Sequence, residues 1–169
     1  MTMMDGLIKK YILELGEGIS VLDVGSKCCD PSSGQTYKEL LKPYDIKYTG
    51  LDLGVGCNVD LVVNDPYNWK ELKGESFELV ISGQAFEHIS FPWLTIKEIA
   101  RVMKPNGLCF IIAPTVAPEH KYPVDCYRYL PDGFHALVNW AGLTTLECGT
   151  NTLDDIMQDC YIVAEKLHG

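Results

Sequence analysis

Two carboxylates and one glycine carry the strongest chemical signal in this chain of 169 residues. Asp23 and Gly25 close the run Ser20-Val21-Leu22-Asp23-Val24-Gly25, after which the chain turns polar through Ser26 and Lys27. A glycine at the carboxyl end of an apolar run lets the backbone turn sharply and approach a ligand with no side chain in the way. A second run, Tyr48-Thr49-Gly50-Leu51-Asp52-Leu53, brings in an acid 27 residues after Gly25. A carboxylate at the tip of a second strand can accept hydrogen bonds from both hydroxyls of a ribose. The pair points to a nucleoside-containing cofactor. No glycine follows Gly25 until Gly34, so the Gly-x-Gly-x-x-Gly turn that seats a pyrophosphate at a helix start is missing. A nicotinamide-dependent oxidoreductase is therefore the weakest fit.

Such residues need strands beneath them and helices alongside. Ile8, Tyr11, Ile12 and Leu15 follow helical spacing, which predicts an amino-terminal helix within residues 1–18, ended near Gly16 and Gly18. Apolar runs predict strands at 20–25, 46–53, 60–64, 77–83, 108–113, 143–149 and 160–165. Between them, Tyr37, Leu40, Leu41 and Tyr44 mark a short helix limited by Pro43, and Trp69 to Leu72 a brief one. Ile96, Ile99, Ala100 and Met103 mark another, followed by a Lys104-Pro105-Asn106-Gly107 turn. Phe134, Leu137, Val138 and Ala141 mark a helix begun at Pro131 and closed by Gly142. Strands alternating with helices imply an α/β fold with a largely parallel sheet. The expected organisation is a single domain over 1–169, with residues 114–130 as a long irregular loop of the functional kind.

The bulk numbers narrow the function. Hydrophobic residues at 47% and charged residues at 22% are ordinary globular values. No apolar run approaches 18 residues, and the first ten residues have lysines after the apolar segment, so neither a membrane span nor a secretory leader is expected. A net charge of −9 without a basic cluster argues against nucleic acid as a partner. Seven cysteines at irregular intervals, with no Cys-x-x-Cys pair, read as reduced thiols in a cytoplasmic protein.

The order of motifs resembles a class I S-adenosylmethionine-dependent methyltransferase of the small methyltransferase-type-11 group, over residues 20–166. The resemblance rests on Val21-Leu22-Asp23-Val24-Gly25, on Gly50-Leu51-Asp52, and on the block from Phe77. That block reads Phe77-Glu78-Leu79-Val80-Ile81-Ser82, then Phe86-Glu87-His88-Ile89, then Glu98 through Gly107. It implies a Rossmann-like doubly wound sheet of seven strands, the last antiparallel, with S-adenosyl-L-methionine over the carboxyl ends of the first strands. Asp23, Gly25 and Ser26 would then meet the methionine part, Asp52 the ribose and Leu53 the adenine. Asn64 and Asp65 would meet the adenine amino group, and Ser82, Gly83 and Gln84 would lie near the reactive methyl. Asn64-Asp65-Pro66-Tyr67 also resembles an amino-methyltransferase motif, but it is one proline short and one strand too early.

Methyl transfer is an in-line displacement at a sulfonium, and the enzyme mainly aligns the acceptor and excludes water. A hydroxyl acceptor needs a base, and histidine suits neutral pH. His88, just past the fourth strand, and His120, past the fifth, face the same crevice and are the expected catalytic pair. The run from His120 to Tyr129 resembles a His-x-x-Pro-x-Asp-x-x-Arg-aromatic pattern of small methyltransferases linked to glycan or envelope biosynthesis. With Glu87, its Tyr122, Asp125, Tyr127 and Arg128 are expected to line the acceptor side. A metal site from Glu87, His88, His120, Asp125 and Cys126 matches no short ligand spacing, so no metal is expected. The expected acceptor is a small molecule or glycan, methylated at oxygen, in a pocket either open or closed by a second copy of the chain. Structural alternatives stand beside each residue: Asp23 and the Glu87-His88 pair as caps, Asp52 and Asn64-Asp65 as turn residues, Asp125–Arg128 as a loop pin. The Lys27-Cys28-Cys29-Asp30 stretch also leaves open a methyltransferase-like binding module without catalysis.

Overall fold

A computed structural model describes residues 2–28, 36–152 and 157–168. Its elements in chain order are α1 (Thr2–Leu15), β1 (Ile19–Val24), α2 (Tyr37–Leu41), β2 (Ile46–Asp52), β3 (Leu61–Val62), β4 (Phe77–Gly83), α3 (Pro92–Val102), β5 (Met103–Val116), α4 (Pro131–Trp140), β6 (Thr144–Thr152) and β7 (Gln158–Glu165). They form a seven-stranded sheet in the order β3-β2-β1-β4-β5-β7-β6. β7 runs antiparallel to both its neighbours, while the pairs among the first five strands are parallel. The α/β, doubly wound expectation holds.

Alternation along each strand splits the core into two layers. Ile19 and Val21 of β1, with Leu79 and Ile81 of β4, pack under Met4, Ile8, Tyr11 and Ile12 of α1 and Leu41 of α2. Leu22, Val24 and Val80 face the other way, against Ile96, Ile99 and Val102 of α3 and Phe134 and Val138 of α4. α1 buries Met4, Leu7, Ile8, Tyr11 and Ile12, one stripe at three- and four-residue spacing, and the chain then turns at Gly16 with φ +89.

Three local expectations are corrected. Residues 69–72 form turns rather than a helix, because α3 supplies the backbone partners: Glu98 accepts from the Trp69 amide at 2.8 Å, and Arg101 donates to the Trp69 and Leu72 carbonyls at 2.9 and 3.0 Å. The third strand shrinks to Leu61–Val62 on the edge beside β2. β5 begins at Met103 and absorbs the 104–107 turn as an irregularity: register jumps between the pairs Phe77↔Met103 and Leu79↔Leu108, with Asn106 at φ +62. β5 also runs through Pro114 to Val116. Its pairing with β4 stops at Ile112, so the missing Pro114 amide interrupts no bond on that side.

Candidate active site

The strand order reverses between β1 and β4: β2 lies on one side of β1, and β4 and β5 lie on the other. Loops leaving the carboxyl ends of these strands diverge there and open the crevice in which such sheets bind ligands. Gly25, just beyond β1, sits at φ +77, and a Cβ on it would lie 2.5 Å from the Ala85 Cβ. Only a glycine with left-handed backbone lets the loops after β1 and β4 approach this closely.

Asp23 points into the α1/α2 layer, where it is 3% exposed. Its Oδ2 accepts a 2.6 Å hydrogen bond from the Tyr48 hydroxyl, and its Oδ1 has no partner among the described residues. Burial pushes its carboxyl up to about 7, against the pull of the Tyr48 bond, and the Asp52 charge pushes the same way. Asp52 closes β2 and holds three amides: Leu53 and Gly54 on Oδ1 at 2.7 and 3.3 Å, and Lys27 on Oδ2 at 3.1 Å. It thus binds its own loop to the loop after β1. Leu53 beside it is 56% exposed. Ser26 is buried and donates to the Asn58 carbonyl at 3.2 Å. The rest of this loop, 29–35, lies outside the described residues, including Cys29, Asp30 and Gly34.

The other cofactor-side positions divide by what their side chains already do. Asp65 accepts from the Tyr67 amide at 2.9 Å, and Asn64 donates to Glu71 at 3.4 Å, so both hold the turn after β3 while remaining exposed. Ser82 is fully buried and donates to the Val24 carbonyl at 2.9 Å, tying β4 to β1. Gly83 lies against Tyr37: a Cβ there would sit 1.9 Å from the Tyr37 hydroxyl oxygen. Gln84 is exposed at φ +57, its amide held by the Ile112 carbonyl at 2.9 Å.

Beyond β4 a single 3-10 turn, Phe86–His88, brings the acid and the first histidine together. The 117–130 loop folds back onto it. Cys126 and Tyr127 donate backbone amides to the Glu87 carbonyl at 2.7 and 3.3 Å, and the Tyr129 hydroxyl donates to the Phe86 carbonyl at 3.1 Å. This docking carries His120 to His88, with ring centroids 5.0 Å apart. Nε2 of His88 and Nε2 of His120 lie 3.7 and 3.8 Å from the same Glu87 Oε1. Each Nδ1 faces a backbone carbonyl, Val124 at 2.6 Å for His88 and Pro118 at 2.9 Å for His120. A carbonyl can only accept, so each Nδ1 carries a hydrogen, and a neutral ring then presents an Nε2 lone pair toward Glu87. Glu87 is fully buried, and neither oxygen has a hydrogen-bond partner among the described residues. Burial pushes its carboxyl up to about 7, opposed by its own backbone amide and by the charges of His120 and Arg128.

Asp125 and Arg128 are the frame of this loop. Arg128 reaches both Asp125 oxygens, at 2.6 and 2.8 Å, and the carbonyls of Ala117, Pro118 and Tyr127. Asp125 also accepts from the His120 amide at 2.8 Å. The Arg128 guanidinium holds the Asp125 carboxyl well below the usual carboxylate range. The geometry therefore gives the pair the loop-pinning role. Tyr127 donates to the Ser90 carbonyl at 2.9 Å, while Tyr122 is 59% exposed with its ring 5.9 Å from His88.

Sequence reasoning missed Tyr37 and Tyr48, which face Gly83 and Asp23. Tyr48 carried a usable signal: it is paired in register with Val21 on β1, two residues from Asp23 and therefore on the same side. The Val124 and Pro118 carbonyls that orient the histidines are backbone groups and left no trace in residue types. A groove of about 450 Å³ lined by Glu75, Arg101, Pro105 and Lys166 lies at the opposite end of the sheet.

A seven-stranded sheet in this order, with β7 reversed and the crevice beside β1, is the class I methyltransferase fold. The family described as "Methyltransferase domain" matches residues 28–111. Among curated proteins no relative is found by sequence. Solved structures superpose over nearly the whole chain. The [4+2]-cyclase SpnF gives a TM-score of 0.73 at 18% identity, covering 98% of this chain and 81% of that one. A SAM-dependent methyltransferase from Methanosarcina mazei gives 0.71 at 15%, covering 96% and 98%. Phosphoethanolamine N-methyltransferase 2 of Haemonchus contortus, in complex with S-adenosyl-L-methionine, gives 0.67 at 13%, covering 96% of this chain and 53% of that one. Residues 28–111 thus match the methyltransferase-domain family, on the fold of the class I S-adenosylmethionine-dependent methyltransferases.

Proposed function

We propose that this domain binds S-adenosyl-L-methionine and transfers its methyl group to a hydroxyl of a small-molecule or glycan acceptor. The observation that carries the reading is the meeting of Gly25, Asp52 and the Glu87–His88–His120 cluster at one end of the sheet, around the point where the strand order reverses. The residues fit the cofactor. Asp23 offers a buried Oδ1, unpartnered among the described residues, to an ammonium, Asp52 stands at the tip of β2 for the ribose, and exposed Leu53 beside it offers an apolar surface to a base. When bound, the cofactor supplies an activated methyl on a sulfonium. Gly25 lets the loops after β1 and β4 meet with no side chain between them, and Asn64, Asp65 and Gln84 present exposed polar groups at the rim.

On the acceptor side, an Nε2 lone pair of His120 or His88 takes the hydroxyl proton as the oxygen attacks. His120, with its side chain 40% exposed against 12% for His88, is the one the acceptor reaches first. Glu87 stabilises the imidazolium that results, and Tyr122 with the Asp125–Arg128 loop walls the approach. Cytoplasmic placement fits the described cysteines, all of them free, and no described helix is long and apolar enough to cross a membrane.

The test is calorimetric. The demethylated product, S-adenosylhomocysteine, should bind one to one, and Asp52→Ala should weaken it by at least tenfold. No heat with the wild-type protein, at intact fold, refutes the reading. It would favour a non-catalytic binding module instead, a reading supported by Tyr37 closing over Gly83.

A further inference from the structure

The fold brings together three residues whose sequence spacing resembles no ligand motif. One ligating atom each from Glu87, His88 and His120 lies within 4.8 Å of the others. Both imidazoles have their Nδ1 hydrogen tied to a backbone carbonyl, which fixes the tautomer and aims both Nε2 lone pairs at Glu87 Oε1. Tying the far ring nitrogen to a carbonyl is how proteins orient metal-binding histidines. The carboxylate they face is fully buried, with no hydrogen-bond donor on either oxygen among the described residues. Three sets of electron pairs thus converge with nothing positive between them, an arrangement that is unfavourable unless a cation or proton is shared. Asp125, 3.8 Å from His120 Nδ1, is already held by Arg128, so the nearest competing charges are paired with each other.

We propose that Glu87, His88 and His120 bind one divalent cation of the zinc type. Two imidazoles and a carboxylate suit zinc, whereas magnesium and calcium favour oxygen ligands throughout. Three protein ligands leave the fourth position of a tetrahedral ion open. Bonds of about 2.0–2.1 Å set tetrahedral ligand atoms about 3.3 Å apart. The 3.7 and 3.8 Å separations therefore need only small contractions, and the two imidazoles, whose ligating atoms lie within 4.8 Å, close the rest by movement of the surface loop bearing His120. The open position faces the crevice on the His120 side, where solvent reaches the ring.

The role of the ion rests on the methyl-transfer reading; its binding does not. An acceptor hydroxyl in the open position is acidified by the ion and gives its proton to water. Its oxygen then forms a C–O bond as the methyl C–S bond breaks, and the sulfonium leaves as a neutral thioether. The ion thereby replaces direct proton transfer to Nε2, and no oxidant or reductant is required.

Cobalt(II) added to chelator-treated full-length protein tests the site, read by visible absorption and calorimetry. One equivalent should bind with the intense d–d bands of a four-coordinate nitrogen–oxygen site and be displaced by zinc. Affinity should fall at least about tenfold in Glu87→Gln and in His120→Ala, the latter at a half-exposed position that leaves the fold intact by circular dichroism. No binding, unchanged binding in both variants, or a thiolate-to-cobalt charge-transfer band from the cysteines overturns the proposal. S-adenosylhomocysteine binding measured on the same metal-free protein separates this outcome from failure of the methyltransferase reading.

Discussion

Replacing Asp23 with asparagine should change how the stability of this domain depends on pH, by an amount the structure sets. The Asp23 carboxyl is 3% exposed and is pushed by burial from the usual 3.8 to about 7. Between these values the folded chain keeps a proton that the unfolded chain has released. Stability therefore falls as pH rises through this window and levels off above about 7. Roughly three pH units at 1.36 kcal/mol each give about 4 kcal/mol as the full size of the effect. Asparagine keeps an oxygen to accept from Tyr48 and cannot ionise. Urea unfolding without ligand, at acidic and mildly alkaline pH, should show the variant gaining on wild type across the window. With a urea slope of about 2 kcal/mol per molar, the gain amounts to about 2 M in midpoint. Glu87 shifts in the same direction but is present in both proteins, so it cancels in the difference. Parallel pH profiles for the two proteins would refute the argument that Asp23 is held neutral by burial.

Two further outcomes test the frame of the site. Gly25→Ala should lower stability by a few kcal/mol, part from left-handed backbone, roughly 1–2 kcal/mol, and part from the 2.5 Å approach to Ala85. Adding Ala85→Gly should recover the second part only, as a double-mutant cycle in thermal unfolding would show. Arg128→Lys should open the 117–130 loop to limited proteolysis nearly as much as Arg128→Ala. One ammonium cannot replace a guanidinium bonded to Asp125 and three carbonyls, and equal resistance of the lysine variant and wild type would count against that assignment.

The fold was legible because strands buried on both faces read as short apolar runs, and seven such runs appear between recognisable turns. The misreadings share a cause. The turns at Trp69–Leu72 follow from Glu98 and Arg101 on a helix some thirty residues away, and local periodicity cannot register partners of that kind. Met103 fits a helical face by spacing but starts a strand, because α3 begins earlier, at Pro92, and ends at Val102. On the cofactor side, a glycine and an acid at successive strand ends were legible because both positions follow directly from the strand pattern. On the acceptor side, types pointed to the histidines, but what their neighbours bond to could not be read from them. Asp125 and Arg128 carry charge in the sequence and spend it on each other in the structure.

The sequence by itself determined the alternation of strands and helices, the sharp turn at Gly25, the acid at the tip of β2, and the class of chemistry these allow. Those are properties of local pattern, and backbone sterics and burial translate them directly. Only the tertiary structure decided what the carboxylates and imidazoles face. The Asp23 carboxyl is pushed up to about 7 because the α1/α2 layer covers it. Glu87, His88 and His120 converge because a loop from the far side of β5 docks on the turn after β4 through backbone hydrogen bonds. Those bonds involve no particular side chains, so the convergence they create cannot be read from residue identities.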